Sequence, residues 1–167
     1  MIFFANKSVL DFNVDCVVNA ANCDLIGGGG VDGAIHEAAG KQLDEACKKI
    51  GYCGIGNAVI TPGFNLKQKY IIHTVGPIYT RYEKESCRKF LQNCYKNCLD
   101  LARDNNIHSI AFPCISTGVY GFPLEDATKI ALSTVRNWLS TNGSYLMHVH
   151  FACFTKQEYE TYTRLFW

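Results

Sequence analysis

Cys16-Val17-Val18-Asn19-Ala20-Ala21-Asn22-Cys23-Asp24-Leu25-Ile26-Gly27-Gly28-Gly29-Gly30-Val31-Asp32-Gly33-Ala34-Ile35-His36 is the stretch on which the fold turns. It opens on a β-rich apolar run ending in polar residues, crosses four consecutive glycines, and enters a helix expected from about Asp32 to Lys49. The alternation continues outward. Ile2 to Ala5, Ala58 to Ile60, Tyr70 to Thr74, Ile110 to Pro113 and Val149 to Phe154 read as strands, with a turn at Pro62-Gly63. From Glu83 to about Asp104 a helical period places Cys87, Phe90, Leu91, Cys94, Tyr95, Cys98, Leu99 and Ala102 on one broad face. Leu124 to Thr141 is a further helix with Ile130, Ala131, Val135, Trp138 and Leu139 inward, and a short one closes the chain from Lys156. No Pro- or Ser-rich linker, low-complexity tract or internal repeat divides the sequence, so residues 1–167 are expected to form a single domain. Strands alternating with helices of this length predict an α/β three-layer sandwich, whose ligands bind outside the carboxyl ends of the strands.

The composition narrows the function. A chain of 167 residues, 48% hydrophobic and 19% charged, can bury a full core. A net charge of +1 supplies no broad basic field for nonspecific nucleic-acid binding, so any anion recognition must be local. No apolar run approaches the roughly 18 to 20 residues of a membrane-spanning helix, and Met1 to Lys7 shows neither charged leader nor cleavage site; a cytoplasmic domain is expected. The nine cysteines are odd in number and sit mostly in apolar periodic segments, which reads as buried reduced thiols. Cys94 and Cys98 share a helical face with Cys87, a spacing that suits core packing better than metal binding.

Two strand-to-helix loops carry the chemistry. Four glycines in a row contribute no packing, so they mark backbone that takes unusual dihedrals or approaches a ligand, with a helix N-terminus behind them suited to phosphate; a flexible surface loop is the plain alternative. Ile115-Ser116-Thr117-Gly118-Val119-Tyr120-Gly121-Phe122-Pro123 offers hydroxyls, N–H groups and an aromatic face, so the pair suggests a clasped diphosphate. Gly28-x-Gly30-x-x-Gly33 satisfies the dinucleotide pattern in form only. About seven residues separate it from the strand, and no acidic residue ends the strand near Ala58 to Thr61. Neither a G-x-x-x-x-G-K-[ST] loop nor a G-x-S-x-G elbow around Ser116 occurs.

Val17 to Asn22, Gly27 to His36, Tyr70 to Pro77 and Ile115 to Pro123 together resemble the motifs of macro domains, specifically the MacroD-type ADP-ribosylhydrolases, in order and spacing over essentially the whole chain. The resemblance implies a mixed six-stranded sheet between helices and an ADP-ribose cleft. It also implies hydrolysis of mono-ADP-ribose from acidic side chains of proteins, or of acetyl from O-acetyl-ADP-ribose. On that resemblance, the backbone of Gly28, Gly29, Gly30 and Val31 and the loop of Ser116, Thr117, Gly118, Val119 and Tyr120 wrap the diphosphate, with Tyr120 over the distal ribose. Asn22 holds that ribose, Asp32 faces it and its attacking water, and His36 follows one turn on, these three forming the catalytic set. Phe154 stacks on adenine, and Ser8, Val9 and Ala21 complete the ligand-binding set. Relatives carry Gly-Asp-Ile-Thr where this chain has Lys7-Ser8-Val9-Leu10, so Ser8 replaces the carboxylate that accepts from the adenine amino group, and a neutral acceptor is weaker by roughly a factor of two. Asp15 is out of register with that role.

Each residue also has a plainer reading. His36 either orients Asp32 or the ribose, or packs its helix; His73, His108, His148 and His150 read as ordinary structural histidines. Tyr120 and Phe154 are core aromatics or ligand contacts, and Asn22 and Asp32 could cap turns and the helix, though their place beside the glycines favours function. No cofactor or metal is implied, so catalysis would rest on placing a water, activated by Asp32 or by Asp32 together with a substrate phosphate oxygen. The hydrolase reading leads. A non-catalytic reader of ADP-ribose is the alternative, and a nucleic-acid binder is disfavoured by the charge.

Overall fold

A computed structural model describes all residues, Met1–Trp167. Six strands, β1 (Ile2–Ala5), β2 (Cys16–Ala20), β3 (Ala58–Pro62), β4 (Tyr70–Thr74), β5 (Ser109–Phe112) and β6 (His148–Ala152), form one sheet of order β1-β6-β5-β2-β4-β3. All neighbours are parallel except β3, which runs antiparallel to β4 at the edge. Five helices cover it: α1 (Gly30–Ala39), α2 (Lys41–Ile50), α3 (Lys84–Asp104), α4 (Leu124–Thr141) and α5 (Lys156–Phe166).

The central strands alternate between two apolar layers, as a sheet buried on both faces requires. Cys16, Val18, Ile72, Ile110, Phe112, Val149 and Phe151 enter the core under α3, α4 and α5. Val17, Ile71, Ala111 and Ala152 face the other way, onto Ile35 and Ala39 of α1 and Leu43 and Cys47 of α2. The result is the expected three-layer α/β/α sandwich around a mixed six-stranded sheet. No helix is long and apolar enough to cross a membrane. The nine cysteines are free thiols and seven are buried. Burial pushes Cys94 up to about 12 and Cys98 well above the usual thiol range.

Several boundaries depart from the sequence expectation. The expected helix from Asp32 to Lys49 is two helices, because Gly40 adopts φ +92° and ψ 179°, a region open essentially to glycine alone. The first of them starts at Gly30, inside the glycine run. The break decides the geometry of the site. In one continuous helix, residues 36 and 44 would lie about 12 Å apart along the axis; turned back at Gly40, Asp44 reaches the His36 ring. β3 runs through Pro62, tolerable on an edge strand. β6 stops at Ala152, which leaves Phe154 beyond it, where Asn6 Nδ2 donates to the Cys153 and Phe154 carbonyls and a Thr155–Glu158 capping box starts α5.

A side chain at residue 40 would be strained by that backbone and its Cβ would stand 2.7 Å from Asn65 Nδ2. Gly40→Ala should therefore cost about 1–3 kcal/mol of stability. A urea midpoint unchanged from wild type would show that the helix break tolerates a side chain.

Candidate active site

The carboxyl ends of parallel β2, β5 and β6 converge on one edge of the sheet, where three loops meet. After β2, Ala21 is pinned by its N–H to the Thr74 carbonyl at 2.8 Å. Asn22 closes the next turn, its Oδ1 accepting from Ile26 N–H at 3.1 Å and its Nδ2 donating to Ile26 O at 2.6 Å. Leu25, at φ +58°, is buried and anchors that turn.

The glycines then fold over Asp32. Its Oδ2 accepts from Gly28 N–H at 2.8 Å, and its Oδ1 accepts from Asn19 Nδ2 at 2.7 Å and lies 3.3 Å from His36 Nε2. A Cβ at residue 33 would run into the Gly28 carbonyl oxygen, so the helix start and the loop touch backbone to backbone. His36, with Nδ1 2.6 Å from Asp44 Oδ1, supports the loop from beneath: a Cβ at residue 27 would meet its ring at 2.9 Å. His36 thus both orients Asp32 and packs the helix. An open cavity of about 690 Å³, lined by Asp24, Gly28, Gly33, His36, Asp44 and Lys48, adjoins the loop.

Two runs of backbone N–H groups are left over. The N–H groups of Gly29, Gly30, Val31 and Asp32, at the start of α1, have no backbone acceptor. Neither have those of Ser116, Thr117, Gly118, Val119 and Tyr120 in the loop after β5. That second loop is held by Phe122 N–H to Ser116 O at 2.9 Å, Gly121 N–H to Gly118 O at 3.0 Å and Thr117 Oγ1 to Cys114 O at 3.1 Å. Its ends are buried at Ile115 and Phe122, while Val119 is fully exposed. Ser116 sits at φ +67° with its buried hydroxyl lacking a partner, a combination of strain and orphaned polarity that clusters at functional sites. Burial first, then the charges of Cys23 and Asp32, raise the Tyr120 phenol, with Arg81 opposing.

The structure thus brings Asn22, Gly28 to Val31, Asp32 and His36 together, and sets Tyr120 near them. Phe154 is three-quarters exposed past β6. Ser8 caps the 3-10 turn Val9–Asp11, its Oγ accepting from Leu10 N–H at 3.2 Å, which occupies part of the hydroxyl's accepting capacity. Val9 is a core residue, so only its backbone can meet a ligand.

Beneath Asp32 lies a buried polar net that the sequence alone does not reveal. Asn19, His73 and Thr61 are nearly or fully buried. Asn19 Nδ2 lies 3.1 Å from His73 Nδ1, and His73 Nε2 lies 3.0 Å from Thr61 Oγ1. The only signal in the sequence is polar residues inside largely apolar strands. The ligand atoms of His36, Cys47 and His73 lie within 4.8 Å of one another, but all four ring nitrogens already face Asp32, Asp44, Asn19 or Thr61. Burial, followed by Asp32 and Asp44, pushes the Cys47 thiol up to about 11.

The macro domain family model matches residues 18–131. The chain is 49% identical to the human (Homo sapiens) ADP-ribose glycohydrolase MACROD2, the match covering 90% of this chain and 36% of that protein. It is 47% identical to the O-acetyl-ADP-ribose deacetylase of Salmonella newport, covering 94% of this chain and 89% of the other. Among solved structures it superposes on the Trypanosoma brucei macrodomain in complex with ADP-ribose with a TM-score of 0.93 at 43% identity, covering 99% of this chain and 69% of that one. With the Oceanobacillus iheyensis macrodomain with ADP the TM-score is 0.92 at 39% identity, covering 96% and 87%. The chain belongs to the macro domain family. It spans about a third of the length of the MACROD2 proteins that it matches.

The net also has a measurable consequence. Burial, then the charge of His36, pushes His73 down to about 3. An unfolded histidine titrates near about 6.5, so between these values the unfolded chain binds a proton that the folded protein refuses. Stability is therefore lost as the pH falls below about 6.5, by about 1.4 kcal/mol per pH unit from this group. From pH 7 to pH 5, wild type should lose about 2 kcal/mol more than His73→Asn in denaturant melts. Equal losses would show that His73 ionises in place.

Proposed function

We propose that the protein binds ADP-ribose in this cleft and hydrolyses its esters, removing mono-ADP-ribose from acidic side chains of proteins or acetyl from O-acetyl-ADP-ribose. The observation that carries the reading is the pair of unpaired N–H runs, residues 29–32 and 116–120. Backbone donors that have no protein acceptor, one set at a helix N-terminus, match the oxygens of a diphosphate without a surplus of basic side chains. The names and bound ligands of the relatives support the same chemistry.

Tyr120 would lie over the distal ribose, Asn22 would hold its hydroxyls by the amide hydrogen and lone pair not spent on Ile26, and Phe154 would stack on adenine. Asp32 accepts from Gly28 N–H and Asn19 and faces His36, so each oxygen already holds a partner, and this reading gives it a positioning role rather than that of the base. Its work in this reading is to place the glycine loop and ribose so that a water, with a substrate phosphate oxygen as its base, attacks the anomeric carbon or the acyl carbon. The bond from that carbon to the ester oxygen breaks, and the proton of the water passes to the leaving oxygen. The partners are then ADP-ribose esters and mono-ADP-ribosylated proteins. The nine unpaired thiols support a cytoplasmic site of action, and the net charge of +1 argues against nucleic acid.

Calorimetry should give micromolar ADP-ribose binding with AMP much weaker, since the N–H runs serve the diphosphate. In single-turnover release of label from protein mono-ADP-ribosylated at Glu, Asp32→Ala should be slower by roughly two orders of magnitude through lost positioning, with affinity falling less. Equal affinity for AMP would overturn the diphosphate clasp. Binding without any release by wild type would make the protein a reader module.

A further inference from the structure

We propose that His73 is a positioning residue for this hydrolysis, acting on Asp32 through the side-chain amide of Asn19, an inference that rests on the hydrolase reading above. Asn19 on β2 and His73 on β4 are register partners in the sheet, both fully buried. The Asn19 amide nitrogen carries two protons and no acceptor site. One proton goes to Asp32 Oδ1 at 2.7 Å and the other to His73 Nδ1 at 3.1 Å. Nδ1 must then be the unprotonated nitrogen. The single proton of the neutral ring is on Nε2, where Thr61 Oγ1 receives it at 3.0 Å.

The amide oxygen of Asn19 has no partner, so the two donor bonds alone fix which way the amide points. With the amide reversed, its oxygen would face the Asp32 carboxylate, and with a proton on Nδ1 two donors would face each other. Only the Nε2–H tautomer of His73 keeps Asn19 a donor to Asp32. The chain of contacts therefore runs from Thr61 on the edge strand through His73, Asn19 and Asp32 to Gly28 N–H in the glycine loop. The His36 ring, 6.3 Å away centroid to centroid, reaches Asp32 separately and takes no part in it.

The isosteric pair His73→Leu and His73→Asn tests this, because asparagine restores an acceptor close to the Nδ1 position and leucine does not. We expect His73→Leu to slow single-turnover release about tenfold with ADP-ribose affinity nearly unchanged, and His73→Asn to recover most of that loss. In an Asp32→Ala background His73→Leu should cause no further loss, since residues that act as one unit are not additive. Equal loss in the Leu and Asn variants, or a full additional loss on top of Asp32→Ala, would overturn the proposal. Normal release by Asp32→Ala alone would instead overturn the hydrolase role of Asp32. Nitrogen-15 NMR of wild type needs no variant to fold: it should show His73 as the Nε2–H tautomer from about pH 5 to 8, and a proton on Nδ1 would contradict the chain of contacts.

Discussion

Asp32 is a carboxylate only 7% exposed, and burying an ionised group without partners is costly. Asn19 and Gly28 N–H donate to it, His36 faces it, and the N-terminal turn of α1 adds a favourable dipole. Satisfying that charge requires a particular backbone. Gly28 must bring its N–H inward, while the N–H groups of residues 29–32 that follow have no backbone acceptor. The same requirement reaches the sheet through Asn19 and α2 through His36 and Asp44.

Around that charge the fold acts as a frame of fixed dimensions. Parallel β2, β5 and β6 end together and bring the glycine loop, the Ser116 to Tyr120 loop and Phe154 to one edge. The break at Gly40 does for His36 what a longer helix could not, by returning Asp44 to its ring. The strained Ser116 and its orphaned hydroxyl lie in the second loop, while the regular helices and apolar layers supply the burial that can hold such strain.

Much of this is legible in the residues. Period alone locates α3 and α4 almost to the residue, because each buries one broad face, and the two loops are visible because glycine runs and Ser-Thr-Gly turns have no use in a core. The break after Ala39 is not legible: Gly40 stands in a helical pattern that continues on both sides, and only its dihedrals show the turn. The net of Asn19, His73 and Thr61 is hidden for a related reason. Each is a polar residue in a largely apolar strand, and such residues read as ordinary buried groups until the register places Asn19 opposite His73. Ser8 is placed at the ligand by the resemblance alone, whereas its first partner is the local Leu10 N–H, a capping role that so short a turn makes hard to see.

Asp32 holds Gly28 N–H inward, while the N–H groups of residues 29–32 and 116–120 are left without a backbone acceptor. Amide hydrogen exchange resolved by residue measures this directly. In the free protein Gly28 N–H should exchange slowly while residues 29–32 and 116–120 exchange fast, and adding ADP-ribose should protect both runs. A Gly28 amide exchanging as fast as its neighbours, or a 116–120 run left unprotected by ADP-ribose, would contradict this arrangement of the two loops.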